Sequence, residues 1–308
     1  MKAILFPGQG SQIVGMGSEF YNSFPSVKKI FEEADDVLNF KISKIILEGP
    51  SEDLKLTQNT QPAILVVSYS IFTILKNEYN YKLDTVKFFA GHSLGEYSAL
   101  LCANALTFKD ALYLLFQRGK FMQEAVPVGE GAMLAVLGSD ISDINKYILK
   151  LNTKGVCEIA NDNANGQTIV SGNTKLIEEL QSELKKNKKK SILLPVSAPF
   201  HCSLMKPASN AMEKIIKSIN FKKPNFKIVT NVTAEAEEDE TKLKQLLIQQ
   251  IYTKVRWRES INYMIKKSVQ EFVEIGPGKV LSGLIKRIAP DKNSFSINSI
   301  DDIKNIKK

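Results

Sequence analysis

Val86-Lys87-Phe88-Phe89-Ala90-Gly91-His92-Ser93-Leu94-Gly95 runs from an apolar stretch straight into a serine framed by two glycines. The pattern reads as a buried strand that ends in a sharp turn. Glu96-Tyr97-Ser98-Ala99-Leu100-Leu101-Cys102-Ala103 follows, a run of good helix formers, so the turn opens into a helix. A serine on such an elbow takes strained backbone angles, and the flanking glycines let neighbouring backbone pass where a Cβ would clash. Its hydroxyl is thereby pushed out of the fold, and the N–H of Leu94 points toward the space above Ser93. Gly-x-Ser-x-Gly alone also fits a serine that caps the next helix, so context has to decide.

Outward from this stretch, four short apolar strands are predicted at Lys2 to Phe6, Val86 to Ala90, Phe226 to Thr230 and Phe272 to Ile275. Helical stretches such as Gln61 to Asn77 separate them, and that alternation predicts an α/β fold with a parallel sheet. Gly276-Pro277-Gly278 then makes a tight loop before an amphipathic helix from Val280 to Ile288. Between Gly129 and Pro195 the order changes. Strand Ala132 to Leu137, helix Ser142 to Leu151, strands Val156 to Ala160 and Thr168 to Ser171, helix Lys175 to Leu184 and strand Ser191 to Leu194 spell βαββαβ, the ferredoxin-like pattern. The expectation is a small domain, 129–195, inserted into a discontinuous large domain, 1–128 and 196–308, with a cleft between them.

A serine hydroxyl needs a base to take its proton, most often histidine, and only His92 and His201 occur here. His92 precedes the serine on an extended strand, where adjacent side chains point to opposite faces. His201 is therefore the expected base. It lies in Pro195-Val196-Ser197-Ala198-Pro199-Phe200-His201-Cys202, a proline-flanked segment of the kind that carries catalytic groups.

The strand Lys2 to Phe6 leads into Pro7-Gly8-Gln9-Gly10-Ser11-Gln12, which begins like a dinucleotide-binding loop. The third glycine of that fingerprint would fall at Ile13, whose side chain obstructs close helix–strand packing, so nicotinamide and flavin are disfavoured. Such a loop can instead aim a backbone N–H, here that of Gln9, at a developing oxyanion. From Phe108 to Ala125 the chain reads as one helix, with an apolar stripe through Ala111, Leu114, Leu115, Phe121, Met122 and Ala125. Arg118 falls on that stripe. A buried guanidinium must meet an anion, either a structural carboxylate or a substrate, and periodicity does not choose between them.

With 44% hydrophobic and 24% charged residues, the 308-residue chain has the composition of a soluble globular protein. Its apolar stretches are interrupted well short of the ~20 residues a membrane-spanning helix needs, and the N-terminus lacks a signal-peptide pattern. Cys102, Cys157 and Cys202 lie far apart without C-x-x-C spacing, which argues against a metal site and fits reduced thiols in a cytoplasm. The net charge of +8 is densest at Lys185-Lys186-Asn187-Lys188-Lys189-Lys190. No interleaved aromatics or groove-reading element accompany that run, so an acidic protein or a phosphorylated ligand suits it better than nucleic acid. The acidic segment Glu235 to Glu240 is read as a loop without evident function.

Seven motifs in order now carry a resemblance: Phe6-Pro7-Gly8-Gln9-Gly10-Ser11-Gln12, Thr60-Gln61-Pro62-Ala63, Gly91 to Leu100, Gln117-Arg118-Gly119, Gly166-Gln167, Ala198-Pro199-Phe200-His201 and Glu274-Ile275-Gly276-Pro277-Gly278. From Ile4 to Arg287 the chain resembles the malonyl-CoA:acyl carrier protein transacylases of type II fatty acid synthesis. The resemblance implies an α/β-hydrolase-like core with a ferredoxin-like insert. It also implies roles: Ser93 the acylated nucleophile, His201 its base, Arg118 the ligand of the malonyl carboxylate, and Gln9 with Leu94 the oxyanion donors. Gln250 resembles the residue whose backbone carbonyl orients the histidine. Asn161 and Asn163 fall in a motif that lines the cleft, and Phe200 resembles the malonyl-selecting form. No cofactor or metal is implied, and the expected partners are malonyl-CoA and an acidic, phosphopantetheinylated acyl carrier protein. Basic surfaces at Lys185 to Lys190, and at Lys286 and Arg287, suit such partners. A serine hydrolase or thioesterase, an acyltransferase for another acyl-CoA, and a carrier-docking module without catalysis are the competing readings.

Overall fold

The structure, a computed structural model of the chain, describes residues 1–196 and 198–306. Ser197, in the segment before His201, and Lys307 and Lys308, at the end of the expected large domain, lie outside the described residues.

Among the described residues, ten strands form two sheets. The larger contains β1 (Lys2–Phe6), β2 (Val86–Gly91), β7 (Lys227–Val229), β8 (Ala236–Glu237), β9 (Glu271–Ile275) and β10 (Asn293–Ile297), in the spatial order β10-β9-β1-β2-β7-β8. All neighbouring pairs are parallel except β7 with β8. The four strands expected from sequence are present, and β10 and β8 are additions. The acidic segment is therefore corrected: it carries β8 and Asp239, whose carboxylate caps the helix Glu240–Gln250 by accepting the Lys242 N–H at 2.7 Å.

Both faces of this sheet are buried, as a parallel sheet requires. Ala3, Leu5, Phe88 and Ala90 pack on one side with Trp257 and Ile261 of the helix Trp257–Lys266 and Leu284 of the helix Val280–Ile288. Ile4, Phe6 and Phe89 face the other side, with the helix Thr57–Asn77, where the Phe6 and Phe72 rings meet edge to face at 6.2 Å. That helix begins four residues earlier than expected and holds Pro62 in its second turn.

β3 (Gly131–Leu137), β4 (Cys157–Ala164), β5 (Gln167–Asn173) and β6 (Lys190–Leu193) make the second sheet, order β4-β5-β3-β6, antiparallel throughout. Its two helices, Ile141–Leu151 and Thr174–Lys186, cover one face through Ile144, Ile148, Ile177 and Leu180 against Leu134, Val136 and Val170. The opposite face, with Met133, Ala135 and Ile169, joins the core of the larger unit. Strand alternation thus gives this small unit one face for its own core and one for the cleft.

Two close contacts align the elements around the cleft. β1 and β2 are adjacent with Phe6 paired to Gly91, so the loop after β1 and the elbow after β2 emerge side by side. Gly119 of the helix Phe108–Glu124 lies so close to the start of the helix Thr57–Asn77 that a Cβ there would stand 2.6 Å from the Thr57 carbonyl oxygen. Among the described residues no helix is long and apolar enough to cross a membrane.

Candidate active site

At the end of β2 the backbone of Ser93 adopts φ 53°, a left-handed conformation that L-residues rarely hold outside constrained sites. Both elbow glycines are required: a Cβ on Gly91 would stand 1.9 Å from Gly95 backbone, and one on Gly95 2.2 Å from the Phe6 carbonyl oxygen. Three hydrogen bonds hold Ser93 in place. Its N–H donates to Asn231 Oδ1 at 2.7 Å, and its carbonyl accepts the Glu96 N–H and Gln250 Nε2, each at 3.0 Å. Asn231, in the turn after β7, also donates Nδ2 to the Gly91 carbonyl at 2.7 Å, so one amide bridges the elbow.

The hydroxyl of Ser93 lies 2.7 Å from His201 Nε2. His201 is itself left-handed at φ 58° and buried, and its Nδ1 is 2.9 Å from the carbonyl oxygen of Gln250. That oxygen can only accept, so Nδ1 carries the proton and Nε2 is left free to accept from Ser93. Burial, and then the charge of Arg118, push the His201 pKa down to about 3. The resting imidazole is neutral.

Arg118 is fully buried on its helix, as the stripe predicted, yet among the described residues no carboxylate lies within salt-bridge distance of it. Its partners are neutral oxygens: Nη1 donates to Gln61 Oε1 at 2.8 Å, and Nη2 to Gln250 Oε1 at 3.0 Å and Ser93 Oγ at 3.1 Å. Burial lowers its pKa, with Tyr97 and Glu96 acting in the opposite direction. The guanidinium therefore faces the nucleophile without a salt bridge among the described residues, with the Glu96 carboxyl acting on it only from beyond hydrogen-bond reach.

These groups border a cavity of about 240 Å³ between the two units. Gln9, Ser93 and Arg118 enter it from the larger unit, and Asn161, Asn163 and Ile169 from the smaller. The N–H groups of Gln9 and Leu94 donate no hydrogen bond within the protein among the described residues, which leaves both available to an anion. Phe200 and Met133 form part of the apolar wall. His92 also reaches the cavity, but its Nε2 is engaged by Asn163 Oδ1 at 2.8 Å and its ring lies 5.5 Å from that of Trp257. Asn163 thus orients His92, while Asn161 bridges to Val255 along the backbone.

Sequence reasoning missed Glu96, Asn231 and the side-chain contacts of Gln61 and Gln250. Glu96 and Gln61 stood within the family motifs but carried no reactive signature, and Asn231 acts across 138 residues of chain. Among the described residues no group of three or more His, Cys, Asp or Glu side chains is placed to hold a metal ion.

A neutral imidazole on a strained serine, two open N–H groups and a cavity between two units describe acyl transfer, and the known proteins this chain resembles carry out that chemistry. The family model described as an acyl transferase domain matches residues 4–299. The chain belongs to the acyl transferase family. It is 44% identical over 304 residues to the malonyl CoA-acyl carrier protein transacylase of Bacillus subtilis, covering 98% of this chain and 94% of the relative. With the enzyme of that name from Escherichia coli K12 it shares 39% identity over 297 residues, 96% of this chain and 95% of the relative. Among acyl transferase structures, the acyl-carrier-protein-S-malonyltransferase of Bartonella henselae superposes with a TM-score of 0.96 at 41% identity, covering 99% of this chain and 98% of that one. A malonyl-transacylase solved in complex with its type II PKS acyl-carrier protein superposes at 0.95 with 37% identity, covering 99% and 98% of the two chains.

Proposed function

We propose that this chain is an acyltransferase that moves a malonyl group from malonyl-CoA to the phosphopantetheine thiol of an acyl carrier protein, supplying fatty acid synthesis. The observation that carries this reading is Arg118, a buried guanidinium with no salt bridge among the described residues, 3.1 Å from the nucleophilic oxygen. A guanidinium so placed selects an acyl group with a carboxylate of its own, which it can grip through two parallel hydrogen bonds. Malonyl has that carboxylate and acetyl does not.

Ser93 Oγ attacks the thioester carbonyl as its proton passes to His201 Nε2. Charge that develops on the carbonyl oxygen is met by the N–H groups of Gln9 and Leu94. The tetrahedral adduct collapses, the carbon–sulfur bond breaks, and the CoA thiol leaves with the proton from His201. In the second half, the carrier's thiol gives its proton to His201 and attacks the malonyl ester, and Ser93 recovers its proton as it departs. The Gln250 carbonyl stands where a triad would place a carboxylate. A neutral acceptor there spares the incoming malonyl group like-charge repulsion. These steps use protein groups alone.

The order of the small sheet, second-third-first-fourth along segment 129–195, supports reading it as a ferredoxin-like insert in a discontinuous α/β-hydrolase-like domain, 1–128 and 196–308. Asn161, Asn163 and Phe200 are read as walls of the acyl site, and the cytoplasm is the compartment proposed. Arg287 donates to Gln167 Oε1 at 3.0 Å, and Gln167 borders the cavity, so Arg287 and the exposed Lys286 lie near its mouth, where an acidic carrier approaches.

Intact-mass spectrometry after exposure to malonyl-CoA tests the assignment. A single malonyl adduct is expected, discharged by the carrier protein's thiol, absent in Ser93→Ala and formed roughly 10²- to 10⁴-fold more slowly in His201→Ala. An adduct elsewhere, or free malonate released as fast as it is loaded, returns the site to a different nucleophile or to a hydrolase.

A further inference from the structure

The residues that touch Ser93, His201 and Arg118 converge on one buried carboxylate. Glu96 lies in the first turn of the helix Gly95–Cys102, three residues after the nucleophile, and is fully buried. Its Oε2 accepts the Asn231 backbone N–H and the Gln250 Nε2–H, both at 2.9 Å. Oε1 has no hydrogen-bond partner among the described residues. Asn231 clamps the elbow on either side of His92, through the Gly91 carbonyl and the Ser93 N–H. Gln250 does more. Its Nε2 also reaches the Ser93 carbonyl, its Oε1 holds Arg118 and its backbone oxygen fixes the His201 tautomer.

An amide can sit either way round, and here the choice is forced. With Nε2 turned toward Glu96 and the Ser93 carbonyl, Oε1 faces the guanidinium; the flipped amide would oppose oxygen to carboxylate and N–H to N–H. Burial pushes the Glu96 pKa up to about 7, against the pull of both donors and of Arg118, so the fold keeps a carboxyl where desolvation disfavours its charge. Other titratable groups beside this network are Tyr97 of the same helix, Arg118 and His201. None of them donates a hydrogen bond to Glu96 in this arrangement.

We propose that Glu96 is a positioning residue for acyl transfer: one oxygen of its side chain, acting through Asn231 and Gln250, sets the nucleophile, the base and the guanidinium relative to one another. The proposal rests on the reading of Ser93 as the acylated residue. It requires an acceptor at a fixed reach and does not require a charge. Two variants separate these. Glu96→Gln keeps the reach and an acceptor oxygen without the charge, whereas Glu96→Asp keeps the charge and withdraws it by about 1.5 Å, one carbon–carbon bond.

The test is single-turnover acylation by malonyl-CoA and by acetyl-CoA. Each rate is referred to the fraction of chain that takes up an acyl group at long times, with Ser93→Ala as control. Misplacement on the 1 Å scale costs about 10²-fold in the chemical step, so Glu96→Asp should lose roughly that factor in the rate constant. Its apparent affinity should change by no more than about threefold, and malonyl and acetyl should fall together, because the nucleophile is misplaced for both. Glu96→Gln should stay within about fivefold of the parent. An undiminished rate in Glu96→Asp overturns the proposal, as does a loss in Glu96→Gln equal to or greater than that in Glu96→Asp. Acyl uptake by Ser93→Ala refutes the Ser93 assignment itself, an outcome distinct from either.

Discussion

In the proposed reading, specificity rests on a single residue, Arg118. Truncating one member of a buried charge pair costs about 2–5 kcal/mol, so Arg118→Ala should slow malonyl transfer roughly 30-fold to several thousand-fold. Acetyl transfer has no carboxylate to strand and should fall less or rise, and the malonyl-to-acetyl ratio measured in both proteins is the check. An unchanged ratio would make the arginine a structural element only. Gln250 keeps the carbonyl contact to His201 that the family resemblance implied and adds side-chain contacts that it did not, and a carbonyl oxygen alone would survive truncation of the side chain. The side chain here touches Ser93, Glu96 and Arg118, so Gln250→Ala should lower the acylation rate constant by about 10²-fold, the cost of misplacing reacting groups. Steady-state kinetics that retain most of kcat would return the residue to its carbonyl role. Ser93, His201 and Arg118 were legible in the sequence because each is a scarce or misplaced residue type: a serine between glycines, one of two histidines, a charge on an apolar stripe. Asn231 and Glu96 were not. An asparagine that bonds across 138 residues leaves no local signal, and a glutamate in the first turn of a helix looks like ordinary dipole compensation until its burial is seen.

Elements set the distances on which those residues depend, and glycines mark where two elements meet most closely. Gly119 sits against the first turn of the helix Thr57–Asn77, next to Arg118, and Gln61 on that same helix holds the guanidinium. In Gly119→Ala a Cβ would press to 2.6 Å from Thr57 O and Gln58 Cα, which are backbone atoms that cannot turn aside. The helices must separate, at about the 1–3 kcal/mol typical of overpacking. Thermal unfolding should register that loss, and the malonyl-to-acetyl ratio should drop as Arg118 shifts from Gln61. A lower melting temperature with an unaltered ratio would mean that this helix contact does not aim the arginine. The sequence exposed the elements whose apolar pattern is strong. β10 escaped because Phe295 and Ile297 alternate with serines at a sheet edge, and β8 because two residues carry no period. Strand and helix limits in the small unit moved by one to four residues, as at β4, which runs on to Ala164 through Asn161 and Asn163. Polar residues pointing into a cleft look like a loop when no cleft is in view.

Across the whole molecule, parallel pairing of β9, β1, β2 and β7 was implied by the alternation of strands and helices, but their order, and the place of β10 beside β9, were not, because these are fixed by packing between distant segments. That packing buries ionisable groups at the junction of the two units, and their titration should be felt by the fold as a whole. His201 has a native pKa of about 3 against 6.5 for the free side chain, and burial lowers that of His92 as well. In each case the unfolded chain takes up a proton that the native state refuses, so their contribution is complete above pH 6.5 and is lost as pH falls, for His201 toward 3. Glu96 works the other way. Its native pKa of about 7 against 4.5 means that its contribution is complete below pH 4.5 and is lost as pH rises through 7. Between pH 4.5 and 6.5 His201 and Glu96 oppose one another, and the lowered pKa of His92 tips the balance toward lower stability on acidification. Urea unfolding across that window should give a shallower pH slope for His201→Gln than for the parent, by up to one proton or ~1.4 kcal/mol per pH unit. For Glu96→Gln the slope should instead steepen over the same range, because the opposing group is gone. Equal slopes in the parent and His201→Gln would show that the imidazole is not held neutral in the resting site, and its part as the base that receives the Ser93 proton would have to be reassigned.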